Sequence, residues 1–371
     1  MLKDLLRPMK IGATCLPWRV GAASGLWRGA GAPVQFVIEK ADWAIRRVGE
    51  QVRDAIETIA PGQVETTLAP ERLTNQVVHF GSQFMWQSWG HHMARGNRYV
   101  TSYFHGKPED GPEFARHIDA FLASVPRLSR IVASASVVER RLLDWGVPRD
   151  KLVRIPIGVD TRAFVPPTTA QRAAARAKFG IADGAVVVGS FQKDGVGWGD
   201  GMEPKLIKGP DVFLDTVAEL KRHGVPVTVF LTGPARGYIK AGLDRLGVPY
   251  VHTYVGDHLD LVACYHALDL YLMTSREEGG PMGLMESMAS GVPVVSTAVG
   301  MGPDLITDGV TGGLVSSEDY AAAAQRAVDI LNLADGGTAL RQRAREAVMV
   351  ADWSVVGRDH WLKVYQLLLR P

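Results

Sequence analysis

Short runs of β-branched and aromatic residues alternate with helix-length amphipathic stretches along this chain, and that rhythm restricts its fold more than any other feature. Residues 34–38 (VQFVI) read as a strand and 41–59 as a helix. Strand patterns follow at 76–80, 98–104 and 130–134, and helical patterns at 112–123 and 136–145. Strands joined through helices run the same way, which gives a parallel sheet with helices on its faces. Pro156, Gly158, Pro166 and Pro167 then interrupt the pattern, and such residues mark a connection. Beyond them the rhythm restarts, with strands at 185–189, 227–231, 270–273 and 292–296. Helices fall at 211–223, 259–267, 283–290 and 320–333. A chain of 371 residues can build two domains, each with its own core. The expectation is an α/β protein of two Rossmann-like domains facing each other across a cleft that holds the ligand.

Composition removes several function classes. With 46% hydrophobic and 22% charged residues the chain reads as an ordinary globular protein. A formal net charge of +2 gives no electrostatic reason to expect a nucleic-acid partner. Cys15 and Cys264 are the only cysteines; they imply no disulfide framework or metal cluster and suit a reducing cytoplasm. No window has the apolar length of a membrane span, and the first ten residues lack a signal-peptide core. Residues 1–38 carry Lys3, Arg7, Lys10, Arg19 and Arg28 against Asp4, with Trp18 and Trp27 among them. This segment reads as a poorly ordered stretch whose tryptophans pack on the domain. A basic aromatic segment could also touch an anionic surface, so peripheral contact at the inner face of a membrane stays open.

The chemistry concentrates in residues 275–296, SREEGGPMGLMESMASGVPVVS. A buried strand ends at Thr274, and glycines 279, 280 and 283 let the backbone approach a ligand. A helix starting near Met282 or Gly283 offers free N–H groups and a positive dipole end, which favour a diphosphate. Glu278 and Glu286 stand eight positions apart, one before the turn and one inside the helix. Folded back across the turn, both carboxylates can accept hydrogen bonds from sugar hydroxyls.

This stretch resembles the Glu-x7-Glu signature of retaining glycosyltransferases with the GT-B fold, most closely glycosyltransferase family 4. The resemblance implies that Glu278, with Gly279, Gly280, Pro281, Met282 and Gly283, contacts the donor sugar, and that Glu286 binds the nucleotide ribose. Other segments agree in order. Residues 151–160 (KLVRIPIGVD) resemble the interdomain element, and 352–354 (DWS) with the helix after them resemble the segment that crosses back onto the first domain. The implied domains are 1–160 as acceptor domain, joined by a helix at about 355–371, and 168–354 as donor domain. Residues 205–214 (KLIKGPDVFL) resemble the helix start that brings cations to the diphosphate, so Lys208 is the expected catalytic cation. Relatives place an arginine after the preceding strand. Here Lys193 and an insertion, 194–203, follow instead, and Lys193 or Lys205 could supply the second charge. The insertion could be a mobile lid or a surface loop. Arg236 and Gly256, at the next strand ends, are expected to frame the donor.

In the first domain the family's glycine loop is replaced by 38–46 (IEKADWAIR). Glu39, Asp42 and Trp43 could bind an acceptor sugar; equally, Asp42 could cap a helix and Trp43 pack in the core. His105, after the strand at 98–104, resembles the histidine that relatives place over the donor sugar. His79, near another strand end, is expected to face the ligand as well. The aromatic run at 84–89 could bind acceptor or fill the core. The implied activity is transfer of a hexose, with anomeric retention, from a UDP- or GDP-linked sugar to a glycan or glycolipid. It needs neither cofactor nor metal and suits the synthesis of cell-surface polysaccharides or glycoconjugates. Two alternatives remain: a nucleotide-sugar epimerase on the same fold, or a non-catalytic glycan-binding scaffold.

Overall fold

The computed structural model describes residues 2–27, 29, 31–41, 44–94 and 96–370. They divide into two units, one formed by the residues up to Gly158 together with those from Trp353 onward, the other by Val159–Asp352.

In the first unit, helix α1 (Leu2–Ala23) precedes strand β1 (Val34–Val37), α2 (Ala44–Glu57), β2 (Val64–Thr67), β3 (Val77–Phe80) and α3 (Gln83–Trp89). Then come β4 (Arg98–Tyr103), α4 (Pro112–Ser124), β5 (Leu128–Ala133), α5 (Ser136–Asp144) and β6 (Leu152–Arg154). Among the described residues these strands form one parallel sheet in the order β2-β1-β3-β4-β5-β6. Helix α2 presents Val48, Val52 and Ile56 to the sheet at a spacing of four, so one stripe is buried. Gly49 lets it sit close, since a Cβ there would lie 2.5 Å from Ile38. The chain returns to this unit through Trp353–His360, a π-helical turn Trp361–Tyr365, and Gln366–Leu369. Val356, Val364 and Tyr365 join Phe36, Val52, Val100 and Val132 in one core, each such apolar side chain contributing about 1.5–3 kcal/mol.

The second unit runs α6 (Thr169–Lys178), β7 (Val186–Ser190), α7 (Pro210–Arg222), β8 (Val227–Thr232), α8 (Gly237–Leu246) and β9 (Tyr250–Thr253). It continues with α9 (Leu261–His266), β10 (Leu270–Met273), α10 (Met282–Ala289), β11 (Val294–Thr297) and α11 (Gly302–Leu305). Strand β12 (Gly313–Val315), α12 (Tyr320–Leu331) and α13 (Thr338–Val348) complete it. The sheet order is β12-β11-β10-β7-β8-β9, again parallel among the described strands. All residues of β10 and β11 are buried, as expected where helices cover both faces. The order reverses between β7 and β10, and the space beyond the carboxyl ends of strands at such a switch point is where open α/β sheets bind ligands.

The α/β class and the paired parallel sheets agree with the sequence reading. The N-terminal segment does not: residues read as poorly ordered form α1, despite Pro8 and Pro17 within it. Tertiary contact compensates. Ile11 and Cys15 are buried at a spacing of four, and the helix rests on the turns Pro70–Arg72 and Gly90–His92. Trp18 packs against Trp27 with ring centroids 4.5 Å apart and planes tilted by 59°, and lies beneath Arg72. Arg28 and the side chains of Lys3, Asp4 and Arg7 lie outside the described residues.

Candidate active site

Three segments meet at the switch point of the second sheet. Residues after β7 contribute Gln192; the turn Leu206–Lys208 leads into α7; residues 275–278 follow β10. Thr274 Oγ1 donates to the Gly209 carbonyl at 2.8 Å, and the Arg276 amide donates to the Ile207 carbonyl at 2.9 Å. Gly209 sits at φ +61°, where a Cβ would meet the Thr274 carbonyl at 1.9 Å. Only glycine therefore permits this approach. Gln192 Nε2 donates to the Lys208 carbonyl at 2.9 Å, while Ser275 Oγ donates to Gln192 Oε1 at 3.2 Å. The lattice fixes the Lys208 backbone and leaves its ammonium to pair with Glu278, Nζ–Oε1 2.5 Å; Ser275 Oγ donates to the same oxygen at 2.9 Å. Arg276 points elsewhere, clamping Asp211 through two bonds of 2.8 and 2.7 Å and reaching Glu318. Those bonds hold the Asp211 carboxyl below its usual range.

Helix α10 begins at Met282 after Pro281, with no side chain capping its first turn, so its leading N–H groups are open to an acceptor. A Cβ at Gly283 would lie 2.2 Å from the Tyr271 hydroxyl, so the helix start must be glycine to pass over that ring. One turn further, Glu286 is only 2% exposed. Tyr265 donates to its Oε2 at 2.9 Å. Burial, and then Glu286 itself, push the Tyr265 hydroxyl well above its ordinary pKa, so it stays a donor. Oε1 faces His258 Nε2 at 2.9 Å, an ion pair when that ring is protonated. Tyr265 and His258 thus stand one at each oxygen of this buried carboxylate. Both carboxylates act on the Tyr271 hydroxyl, which burial and they together push upward.

The insertion is an anchored loop. Gly195 pairs with Pro204 in an antiparallel bridge, and the Asp200 and Gly201 carbonyls accept from the Gly237 and Tyr238 amides, capping α8. A Cβ on Gly195 or Gly201 would lie 2.3 Å from Ala235, so these glycines serve close packing. The anchor is Arg236, whose side chain is 0% exposed. It donates to the Ser190 and Thr232 carbonyls and pairs with Asp194 at 3.0 Å. Arg236 is therefore a structural arginine and not the open donor contact expected of it; the partner that claims it, Asp194, came with the insertion. Lys193 lies 4.0 Å from the Trp198 ring centroid, and Trp198 is 63% exposed. Lys205 is exposed, and partial desolvation, Lys208 and Lys193 lower its pKa while Glu278 opposes them.

In the first unit, His105 follows β4, its carbonyl accepting from Gln83 at 3.0 Å and its ring 6.5 Å from Phe84. His79 departs from expectation. It lies inside β3, fully buried, with Nδ1 2.6 Å from the Tyr365 hydroxyl and Nε2 3.0 Å from Ser102 Oγ. The returning segment covers the face on which it points, so it is a core residue. Trp86 of the aromatic run is likewise core, donating to Ser124 at 2.7 Å. Glu39 is partly exposed after β1 and Gly256 exposed after β9. Asp42 and Trp43 lie outside the described residues. Sequence reasoning passed over Tyr265, His258 and Gln192, since none stands in a local pattern with the residue it serves.

Residues 200–333, within the second unit, match the family model described as Glycosyl transferases group 1. The chain is similar to a lipopolysaccharide core biosynthesis mannosyltransferase of Rhizobium meliloti, 29% identical over 47% of this chain and 49% of the relative. It is 30% identical to a D-inositol 3-phosphate glycosyltransferase of Segniliparus rotundus over 66% of this chain and 54% of the relative. It thus spans about half the length of the curated relatives it matches. Among solved structures, Anabaena Alr3699/HepE in complex with UDP and glucose aligns with a TM-score of 0.70 at 16% identity, covering 91% and 99% of the two chains. WaaG, a glycosyltransferase involved in lipopolysaccharide biosynthesis, gives 0.66 at 16%, covering 91% and 100%. At such identities the likeness establishes the fold, two parallel α/β sheets of the GT-B type.

Proposed function

We propose that the protein is a retaining glycosyltransferase that moves a hexose from a UDP- or GDP-linked sugar to a glycan or glycolipid. The observation that carries this reading is the Lys208–Glu278 pair at the switch point, with the buried carboxylate of Glu286 on the helix that follows. Glu286 Oε1 accepts from the ribose. The leading amides of α10 and the ammonium of Lys208, supported by Lys193 and Lys205, take the diphosphate. Glu278 trades part of its contact with Lys208 for sugar hydroxyls and orients the ring. As the glycosidic bond breaks, charge accumulates on the leaving diphosphate, and a preorganised cation stabilises that charge more in the transition state than before it. Lysines in this role dispense with a metal ion, so turnover should survive chelation. No carboxylate in the recognised motifs is an evident nucleophile, and the family resemblance implies a front-face displacement with retention. His105 and Glu39 are proposed as sugar and acceptor contacts of the first unit. The relative named for lipopolysaccharide core biosynthesis supports an acceptor in cell-surface glycoconjugates. Among the described residues no helix is long and apolar enough to cross a membrane; the exposed Leu16, Val20, Leu26 and Trp27 support peripheral contact with one.

The test is thermal stabilisation by a panel of nucleotides and nucleotide sugars, with turnover followed in the presence and absence of acceptors. One base should raise the melting temperature selectively, and Lys208→Ala should weaken its diphosphate but not its nucleoside. No stabilisation by any nucleotide, in a folded protein, overturns the reading. Consumption of the sugar nucleotide into an isomer without acceptor would instead identify an epimerase.

A further inference from the structure

A second cavity, of about 250 Å³, opens at the other end of the second sheet. Asp269 and Pro293, the residues that precede β10 and β11, stand in its wall, so it lies at the amino ends of the strands whose carboxyl ends carry Ser275 and Thr297. Its polar lining is Arg172, Arg341, Ser290, Asp269 and Tyr265. Arg172 is fixed there by the Leu268 carbonyl at 2.6 Å and Asp269 at 2.6 Å. Arg341, on α13, makes no hydrogen bond or ion pair through its side chain among the described residues, although it is half-buried. The charges that act on it are Arg172, which repels it, and Asp269 and Asp335, which attract it from beyond pairing distance. Ser290 ends α10 and is fully buried, and its Oγ has no partner.

Two arginines line one cavity, Arg172 paired with Asp269 and Arg341 unpaired among the described residues, which leaves one positive charge there without a counter-ion. A hydroxyl without a partner beside them adds a second unmet demand. The geometry points to a binding site for a phosphate group, free or carried by a small metabolite, held by Arg341 and Arg172 with Ser290 donating. Fork-shaped guanidinium donors suit that anion, and the cavity has room for phosphate with a short carbon chain. The site is separate from the diphosphate site of the preceding reading and does not depend on it. Tyr265 joins the two, since it lines this cavity and donates to Glu286. Occupancy here would therefore hold the tyrosine that orients the candidate ribose-binding carboxylate.

The experiment uses the full chain and three probes at equal ionic strength: inorganic phosphate, glycerol 3-phosphate and chloride. Phosphate or the monoester should raise the melting temperature by ~2–4 °C over chloride when well above its dissociation constant. Arg341→Gln should abolish the rise and Ser290→Ala should reduce it, while Lys208→Ala keeps it. The larger response of the two phosphates tells whether the free ion or an ester is preferred. A rise no greater than with chloride, or one that survives both Arg341→Gln and Ser290→Ala, overturns the proposal. A rise lost in Lys208→Ala but kept in Arg341→Gln also overturns it, by assigning the anion to the donor site. Failure of the donor reading is seen separately, as the absence of any nucleotide response in the unsubstituted protein.

Discussion

Replacing Glu286 by glutamine changes one atom and leaves the side-chain volume almost unaltered, so it isolates what the second carboxylate oxygen does. Oε2 is already committed to Tyr265 at 2.9 Å, which leaves Oε1, beside His258 Nε2, as the acceptor for a ribose hydroxyl. In the glutamine variant the amide oxygen keeps the tyrosine, and the nitrogen that then faces the ribose can only donate. One hydrogen bond to a charged acceptor is lost, about 1.5–3 kcal/mol, which corresponds to roughly 10–150-fold in dissociation constant. Calorimetric titration of the matching nucleoside diphosphate should show that loss. Inorganic pyrophosphate, which has no ribose, should bind both proteins alike. The deoxyribose form of the nucleotide should bind the native protein more weakly than the ribose form, yet lose much less on substitution, because its missing hydroxyl and the missing acceptor are two halves of one contact. Binding of the nucleotide within about twofold of native, or an equal weakening of pyrophosphate, would refute the assignment of Glu286 to the ribose.

Two further predictions concern stability. Arg236→Met strands Asp194 in a site where it is 1% exposed, and breaking a buried pair costs about 3–5 kcal/mol; urea unfolding should register that loss, together with faster proteolysis within 194–203. His360 is fully buried, and burial pulls its pKa down from 6.5 to about 4. Between those values the unfolded chain takes up a proton and the folded one does not, so stability is complete above pH 6.5 and falls as pH drops toward 4. The shift corresponds to about 3 kcal/mol, and the stability difference between native protein and His360→Gln should narrow by about that amount from pH 7 to pH 4. A difference that stays constant with pH would contradict it.

The parts of the molecule that were legible are those whose residues answer to near neighbours in sequence. Strand β10 matches its expected bounds because four apolar residues sit between turn signals. The pairing of Lys208 with Glu278 has no local signature, since 70 residues separate them; resemblance implies only that each belongs to the donor site. Strand β2 reads VETT, with one fully buried residue, and β12 has three residues, so neither shows the apolar run of a central strand. Helix α1 is held by contacts across the unit and its two prolines argue locally against it. Arg236 and His79 were misread for a common reason. Each stands where a ligand contact is expected, and a partner from a segment with no local signature, Asp194 or Tyr365, takes its polar atoms.

The return of Trp353–Leu369 to the first sheet sets the order in which this protein can finish folding. His79 and Tyr365 are 286 residues apart in the chain, so while a ribosome is still making the second unit the first sheet has only part of its cover. Val364 and Tyr365 are then absent from the core, and His79 faces water without its phenolic partner. The nascent first half is thus an incomplete domain for most of synthesis, exposed to the misassembly that threatens long-range topologies. The second unit, contiguous from Val159 to Asp352, can close before it. The second unit would thus be first to reach its native state, and the first would be sealed only once Trp353–Leu369 has been made.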